Sequence, residues 1–293
     1  MKVLNYMNLN QHPVHLQFYR DRTNEFAEIY HAHQGMELLV VHEGSGSIVV
    51  EQQIFELKRG KLFFFRPYQL HRVQIDKEAD KPYIRSFFVF EPELLEQALN
   101  PFPALQQFFL KLYKKPYIEQ QLAGVDSAQL HTLLQAYQAM IEQAQPEELL
   151  EEQLLFLTNF FHLIKSISGQ KWGAAALEHA GTGKTPSVAE QVMAWIEGHY
   201  EQPFELDKLA QAIHLSPNHL SYLFKQKVGS SITEYLTARR IRQACWLLKS
   251  SDMTIQEIGH AVGLGNFSYF CQLFKRHVGI TPLQFRKSLP TRR

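Results

Sequence analysis

The feature that constrains this chain most is a repeat. Leu223-Phe224-Lys225 with Val228-Gly229 returns fifty residues later as Leu273-Phe274-Lys275 with Val278-Gly279, and Tyr235 is matched by Phe285. A pattern recurring at such a period is one supersecondary unit used twice. Each unit reads helix, turn, helix. In the first, Leu206, Leu209, Ala210 and Ile213 make an apolar face. Ser216 is placed to cap the next helix, Pro217 suits its first position, Leu220, Leu223 and Phe224 turn inward, and Gly229 ends it. In the second, Thr254 caps, Ile255, Ile258 and Val262 form the face, Gly263 makes the turn, and Phe270, Leu273 and Phe274 turn inward. Ile232–Lys249 lies between them as one helix of roughly 27 Å at 1.5 Å per residue. A connector of that length can hold two reading helices near successive major grooves, roughly 34 Å apart on one DNA face.

Charge points the same way. From residue 187 onward there are 13 Lys/Arg against 8 Asp/Glu, whereas residues 1–186 hold 17 against 21. Such asymmetry suits a chain whose rear half meets a polyanion. With Leu220 and Phe224 inward, Asn218, Ser221, Tyr222 and Lys225 share an outer face, and Ser268, Cys271, Gln272 and Lys275 are their equivalents. Early residues of such a helix meet base edges and later basic ones meet phosphate. Base reading is therefore assigned to Asn218, Ser221, Tyr222, Ser268, Cys271 and Gln272, and phosphate contact to Lys225, Arg239, Arg240, Lys275 and Arg276. For any one of these the bland alternative is a solvated side chain.

The front half reads differently. Met36–His42, Ser47–Glu51, Lys61–Arg66, Tyr68–Ile75 and Tyr83–Phe90 are strand-like runs, with Gly44-Ser45-Gly46 as a hairpin signal. The spacing predicts a small barrel or sandwich. Phe63-Phe64-Phe65 breaks alternation, so that strand is expected to be buried on both faces. Leu130, Leu133, Leu134, Tyr137 and Ile141 then follow helical spacing, and Leu149–Ile167 forms a second apolar helix. The pair either covers the barrel or forms a dimer interface. Residues 169–186 lack periodicity and read as a linker between a domain at 1–168 and one at 187–293. Gly181-Thr182-Gly183-Lys184-Thr185 is not a phosphate loop, because Glu178 stands where the leading Gly is needed.

A polar cluster stands out within the strands. His31 and His33 share a strand face, Glu37 follows, and a later antiparallel strand can bring His71 against them. These groups suit an effector pocket, a structural polar network or a divalent metal. No catalytic constellation is evident and no cofactor is called for. Two cysteines exclude a disulfide framework or a four-cysteine zinc site, and no apolar run approaches a bilayer span. The start is too polar for a signal peptide, so a cytoplasmic protein without membrane partners is expected.

Two resemblances follow. His31, His33, Glu37 and Gly44 match the first cupin motif, while Gly60, Pro67 and His71 meet the second only in part. From about residue 187 to 288 the chain resembles the AraC family of bacterial transcription regulators. Arg240, Ala244, Ile255, Ile258, Ala261, Val262, Gly263, Tyr269, Phe270, Phe274, Lys275, Gly279, Thr281, Pro282, Phe285 and Arg286 carry the likeness, with Leu264 at a position usually held by Phe. The resemblance implies an α+β multidomain fold: a cupin-like effector-sensing β-barrel with a helical dimerisation segment, then an all-α double helix-turn-helix domain. It implies a homodimer that binds promoter DNA, most often activates transcription with RNA polymerase, and answers to a small molecule such as a sugar. The rival expectation is a metal-dependent cupin enzyme carrying a DNA-binding tail.

Overall fold

The computed structural model describes residues 9, 12–24, 31–32, 35–76, 82–114, 121–125, 127–168 and 186–288. His33 and the linker over 169–185 lie outside the described residues. The front half is two antiparallel sheets. Strands β1 (Val14–Asp21), β7 (Ile84–Phe90), β2 (Met36–Glu43), β5 (Lys61–Phe65) and β8 (Gln121–Ala123) form one, in that spatial order. Strands β4 (Gln53–Lys58), β3 (Ser45–Val50) and β6 (His71–Ile75) form the other. Alternation divides each strand between two cores. Leu39, Val41, Phe63 and Phe65 face Ile48, Val50, Leu57 and Val73 between the sheets. Met36, Leu38, Val40, Leu62, Phe64 and Phe88 point the other way, under the helices. The triple Phe is buried on both faces, as its sequence requires.

The hairpin reading of Gly44-Ser45-Gly46 is corrected. β2 and β3 belong to different sheets, and Gly44 (φ 109°) is the corner where the chain passes between them. Gly46 is needed for a different reason, since a Cβ there would collide with the Gln74 carbonyl on β6.

Among the described residues four helices follow: α1 (Pro92–Ala98), α2 (Pro103–Lys114), α3 (Ala128–Gln143) and α4 (Leu149–Ser168). Leu130, Leu134, Phe156, Leu157, Phe160, Phe161 and Ile164 are buried in the core on the outer side of the five-stranded sheet. The predicted apolar stripes thus cover the barrel. Met140, Leu150 and Leu155 remain exposed on the outer side of the α3–α4 pair.

The rear half is helical throughout: α5 (Val188–His199), α6 (Leu206–Ile213), α7 (Pro217–Val228), α8 (Ile232–Ser250), α9 (Ile255–Ala261), α10 (Phe267–Val278) and α11 (Pro282–Lys287). Punctuation sets each boundary. Ser216 caps α7 through the His219 amide, and Ser231, Thr254 and Thr281 close capping boxes with Glu234, Glu257 and Gln284. Gly229 and Gly279 end α7 and α10 in left-handed backbone, at φ 74° and 94°, which is why glycine recurs there. One core serves each unit, and α8 contributes its first half to one and its second half to the other.

Candidate nucleic-acid interface and effector pocket

α7 and α10 are the two candidate reading helices. Burial of Leu220, Phe224 and Val228 on α7, and of Phe270, Leu273, Phe274 and Val278 on α10, fixes which side faces out. Asn218, Tyr222 and Lys225 are exposed, as are Ser268, Gln272, Lys275 and Arg276, while Ser221 and Cys271 are half-buried. Burial pushes the Cys271 thiol up, so it is a neutral group. Tyr222 is the most exposed large apolar side chain described, at 62%. His219 and Gln226 also lie on the open side of α7, and Phe267 and Tyr269 on that of α10. The sequence reading passed over these four. The fifty-residue offset was a usable signal for Gln226, because it matches Arg276.

Two of the assigned phosphate contacts are corrected. Arg239 is buried at 6% exposure. Its Nε and Nη2 donate to the two carboxylate oxygens of Glu197 on α5, at 2.6 and 2.5 Å. Its Nη1 donates to Gln243 at 3.0 Å, and the guanidinium lies 4.0 Å from the centre of the Tyr200 ring. Arg240 donates from Nε to the Tyr200 carbonyl and from Nη2 to the Gln202 carbonyl, both at 2.7 Å. Those carbonyls follow the end of α5, where a cation is favoured. Arg239 holds the first unit together from within, and the half-buried Arg240 ties α8 to the end of α5.

In the barrel, His31 and His71 form an antiparallel bridge with both backbone hydrogen bonds, at 2.9 and 3.0 Å. Their rings stand edge-on at 4.2 Å. The His71 ring is fully buried, stacked on Phe65 at 3.9 Å. Its Nδ1 lies 2.9 Å from the Gln69 carbonyl, which fixes a proton on Nδ1 and aims Nε2 at the Glu37 carboxylate, 3.7 Å away. The structure thus brings His31, Glu37 and His71 together. It adds His15 on β1, whose imidazole burial pushes down against the pull of Glu37. The three donor atoms lie within 4.8 Å of one another. Ligands about 2.1 Å from an ion in a tetrahedron sit about 3.4 Å apart, so a metal would have to draw the set together. The backbone acceptor on His71 Nδ1 is an arrangement that metal-bound imidazoles use.

The barrel is docked on the helical half through the outer face of the three-stranded sheet. Val49 and Leu70 join the first unit's core, and Ala32 and Tyr68 join the second's. Arg72 Nη1 donates to the Val228 carbonyl, the last of α7, at 2.5 Å. Three residues of α8, seven apart and so on one side of it, also face the barrel. The Tyr235 hydroxyl donates to the Glu51 carbonyl at 2.8 Å, Arg242 pairs with the Glu51 carboxylate at 2.6 Å, and Lys249 sits over the Tyr68 ring at 5.9 Å. Lys249 also faces Glu91 and Glu93. Glu91 is pushed up to about 8 by burial and by the hydrogen bond it shares with Glu93.

Comparison with known proteins follows the same division. The family described as the AraC-like ligand binding domain matches residues 13–158, and the one described as a helix-turn-helix domain matches 209–288. The chain is 23% identical over 274 residues to YfiF of Bacillus subtilis (strain 168), an uncharacterized HTH-type transcriptional regulator, covering 93% of this chain and 83% of that one. It is 26% identical over 268 residues to RhaR of Cronobacter sakazakii, an HTH-type transcriptional activator, covering 90% and 88%. Among solved structures, the C-terminal domain of AraT, a response regulator from Geobacillus stearothermophilus, is 30% identical and covers 38% of this chain and 92% of its own, with a TM-score of 0.36.

Proposed function

The chain belongs to the AraC family of transcriptional regulators, and from that premise we propose that it couples a small-molecule effector in its barrel to promoter binding by α7 and α10. The observation that carries the proposal is the alternation along β6. His71 points between the sheets into the polar cluster, while its neighbour Arg72 points out and holds the end of α7. Successive strand residues face opposite ways, so a shift of β6 toward a ligand moves both groups together. The ligand reading is supported by the acceptors that Glu37 and the imidazoles of His31 and His71 offer beside the Phe65 ring. Hydroxyl-rich molecules of the carbohydrate type suit such a set. His33 is assigned to the same pocket on its motif spacing alone.

The output is proposed to be activation through RNA polymerase. RhaR of Cronobacter sakazakii, with which the chain aligns over 90% of its length, is named as an activator. Self-association as a homodimer is proposed through the exposed side of α3 and α4, where Met140 and Leu155 are open. The domain limits proposed are 1–168 and 187–293, joined by the linker at 169–186. No described helix is long and apolar enough to cross a membrane, and the proposed setting is the cytoplasm. The barrel is proposed to bind without turnover. Asn218, Ser221, Tyr222, Ser268, Cys271 and Gln272 read bases, and Lys225, Lys275 and Arg276 hold phosphate.

A panel of monosaccharides and other small metabolites tests this by thermal shift on the full chain. A ligand at 100 times its dissociation constant should add ~2.7 kcal/mol. The same ligand should change the affinity for selected duplex DNA, and His71→Ala should abolish both effects. A ligand that stabilises the His71→Ala protein as fully as the parent overturns the pocket assignment. Stoichiometric iron, manganese or zinc with turnover of a bound compound would establish the enzyme reading instead.

A further inference from the structure

α10 opens with a residue that its own fold does not ask for. Phe267 is the first residue of the helix, directly after the Asn266 cap, and it is 46% exposed. Its counterpart fifty residues earlier is Pro217, at the first position of α7. A proline there is preorganised and costs nothing. A phenylalanine has only middling helix propensity and makes no cap. Cα–Cβ bonds tilt toward a helix N-terminus, so a side chain at this position projects ahead of the first turn. On a reading helix that is the end that meets base edges. Cys271, one turn behind on the same shoulder of the outward face, is half-buried and neutral. Ser268 and Gln272 lie beside this shoulder and are polar and exposed.

The only apolar group on the major-groove edge of a base pair is the thymine C5-methyl. We propose that Phe267, with Cys271 behind it, forms an apolar shoulder that recognises thymine methyl groups in the half-site met by α10. Gln272 beside it offers an amide that can pair with adenine N6 and N7. The second half-site is therefore A·T-rich, while the first unit, with Pro217 at the equivalent place, carries no such requirement. This rests on the assignment of α10 as a reading helix.

The test uses the full chain. Preferred duplexes are selected from a random-sequence pool, and each thymine is then replaced singly by deoxyuridine, which removes only the methyl group. One or two thymines on one side of the site should lose about fourfold in affinity on replacement, the factor that one buried methyl is worth. Phe267→Gln should bind thymine and uracil duplexes alike at those positions, and Phe267→Leu should retain the preference. Melting curves and the affinity for the uracil duplex establish that both variants are folded. If Phe267→Gln keeps the thymine preference of the parent, or if no thymine of the selected site responds to uracil, the role given to Phe267 is wrong. If the parent selects no sequence at all, the reading assignment itself fails and this inference falls with it.

Discussion

Removing Arg239 separates two roles that its sequence context leaves equal. The side chain is buried, clamps both oxygens of Glu197, bonds Gln243 and covers the Tyr200 ring. Breaking a buried pair by deleting one partner costs roughly 3–5 kcal/mol, because the other charge is left behind. Here the Glu197 side chain is 35% exposed and can be rehydrated, which discounts the ionic part toward about 2 kcal/mol. The lost cation–π contact adds about 1 kcal/mol. Arg239→Ala should therefore destabilise the helical half by ~3 kcal/mol, and its melting temperature should fall by at least ~10 °C. Circular dichroism melts of the full chain read this directly. Duplex binding, measured well below the melting point at several salt concentrations, should keep the salt slope of the parent. A variant within about 0.5 kcal/mol of the parent in stability, whose salt slope is lower by about one, would refute the reasoning and restore Arg239 as a phosphate contact.

Other perturbations read different parts of the molecule. Gln272→Ala should cost ~1–3 kcal/mol on a selected duplex and little on a scrambled one, whereas Arg276→Ala should weaken both alike and lower the salt slope by about one; equal losses for Gln272→Ala on both duplexes would contradict base reading. Arg72→Met removes a charged hydrogen bond worth about 1.5–3 kcal/mol to the docked arrangement. Amide hydrogen exchange should then speed up at Val49 and along the barrel-facing side of α8, and unchanged protection would show that the tie does not hold the halves together. Glu91 binds its proton more tightly in the fold than in the unfolded chain, so stability should fall as pH rises from about 4.5 to about 8 and then level off. Glu91→Gln should flatten that decline in melts taken at pH 5, 6.5 and 8, and an unchanged slope would discharge Glu91 as its source.

The double unit was legible because its signals are local. Ser216 and Gly229 bound one helix, and Asn266 and Gly279, fifty residues on, bound its counterpart, so chain distance hides nothing. The triple Phe was legible for a like reason. Arg239 and Arg240 were not, because adjacent basic residues look alike until their partners are known. Glu197 and the carbonyls of Tyr200 and Gln202 lie some forty positions upstream. The apolar stripes of α3 and α4 fit a barrel or a second chain equally well, and only packing shows where they go. At the polar cluster, spacing joined His31, Glu37 and His71, but nothing local announced that Phe65 would stack on His71 or that His15 would enter from an edge strand.

The back-to-back placement of His71 and Arg72 limits how this protein can change over evolutionary time. A strand repeats every two residues, so a single-residue insertion or deletion just before His71 flips the whole of β6. The guanidinium would then enter the polar cluster, and the imidazole would face the end of α7. Ligand recognition and its transmission would be lost in the same step. An altered ligand preference is therefore reachable by substituting His71, Glu37 or Phe65 in place. Changes in the length of the segment leading to β6 are tolerable only in pairs, and the five-residue approach from Arg66 to Leu70, with Tyr68 held at φ 59°, is expected to resist them.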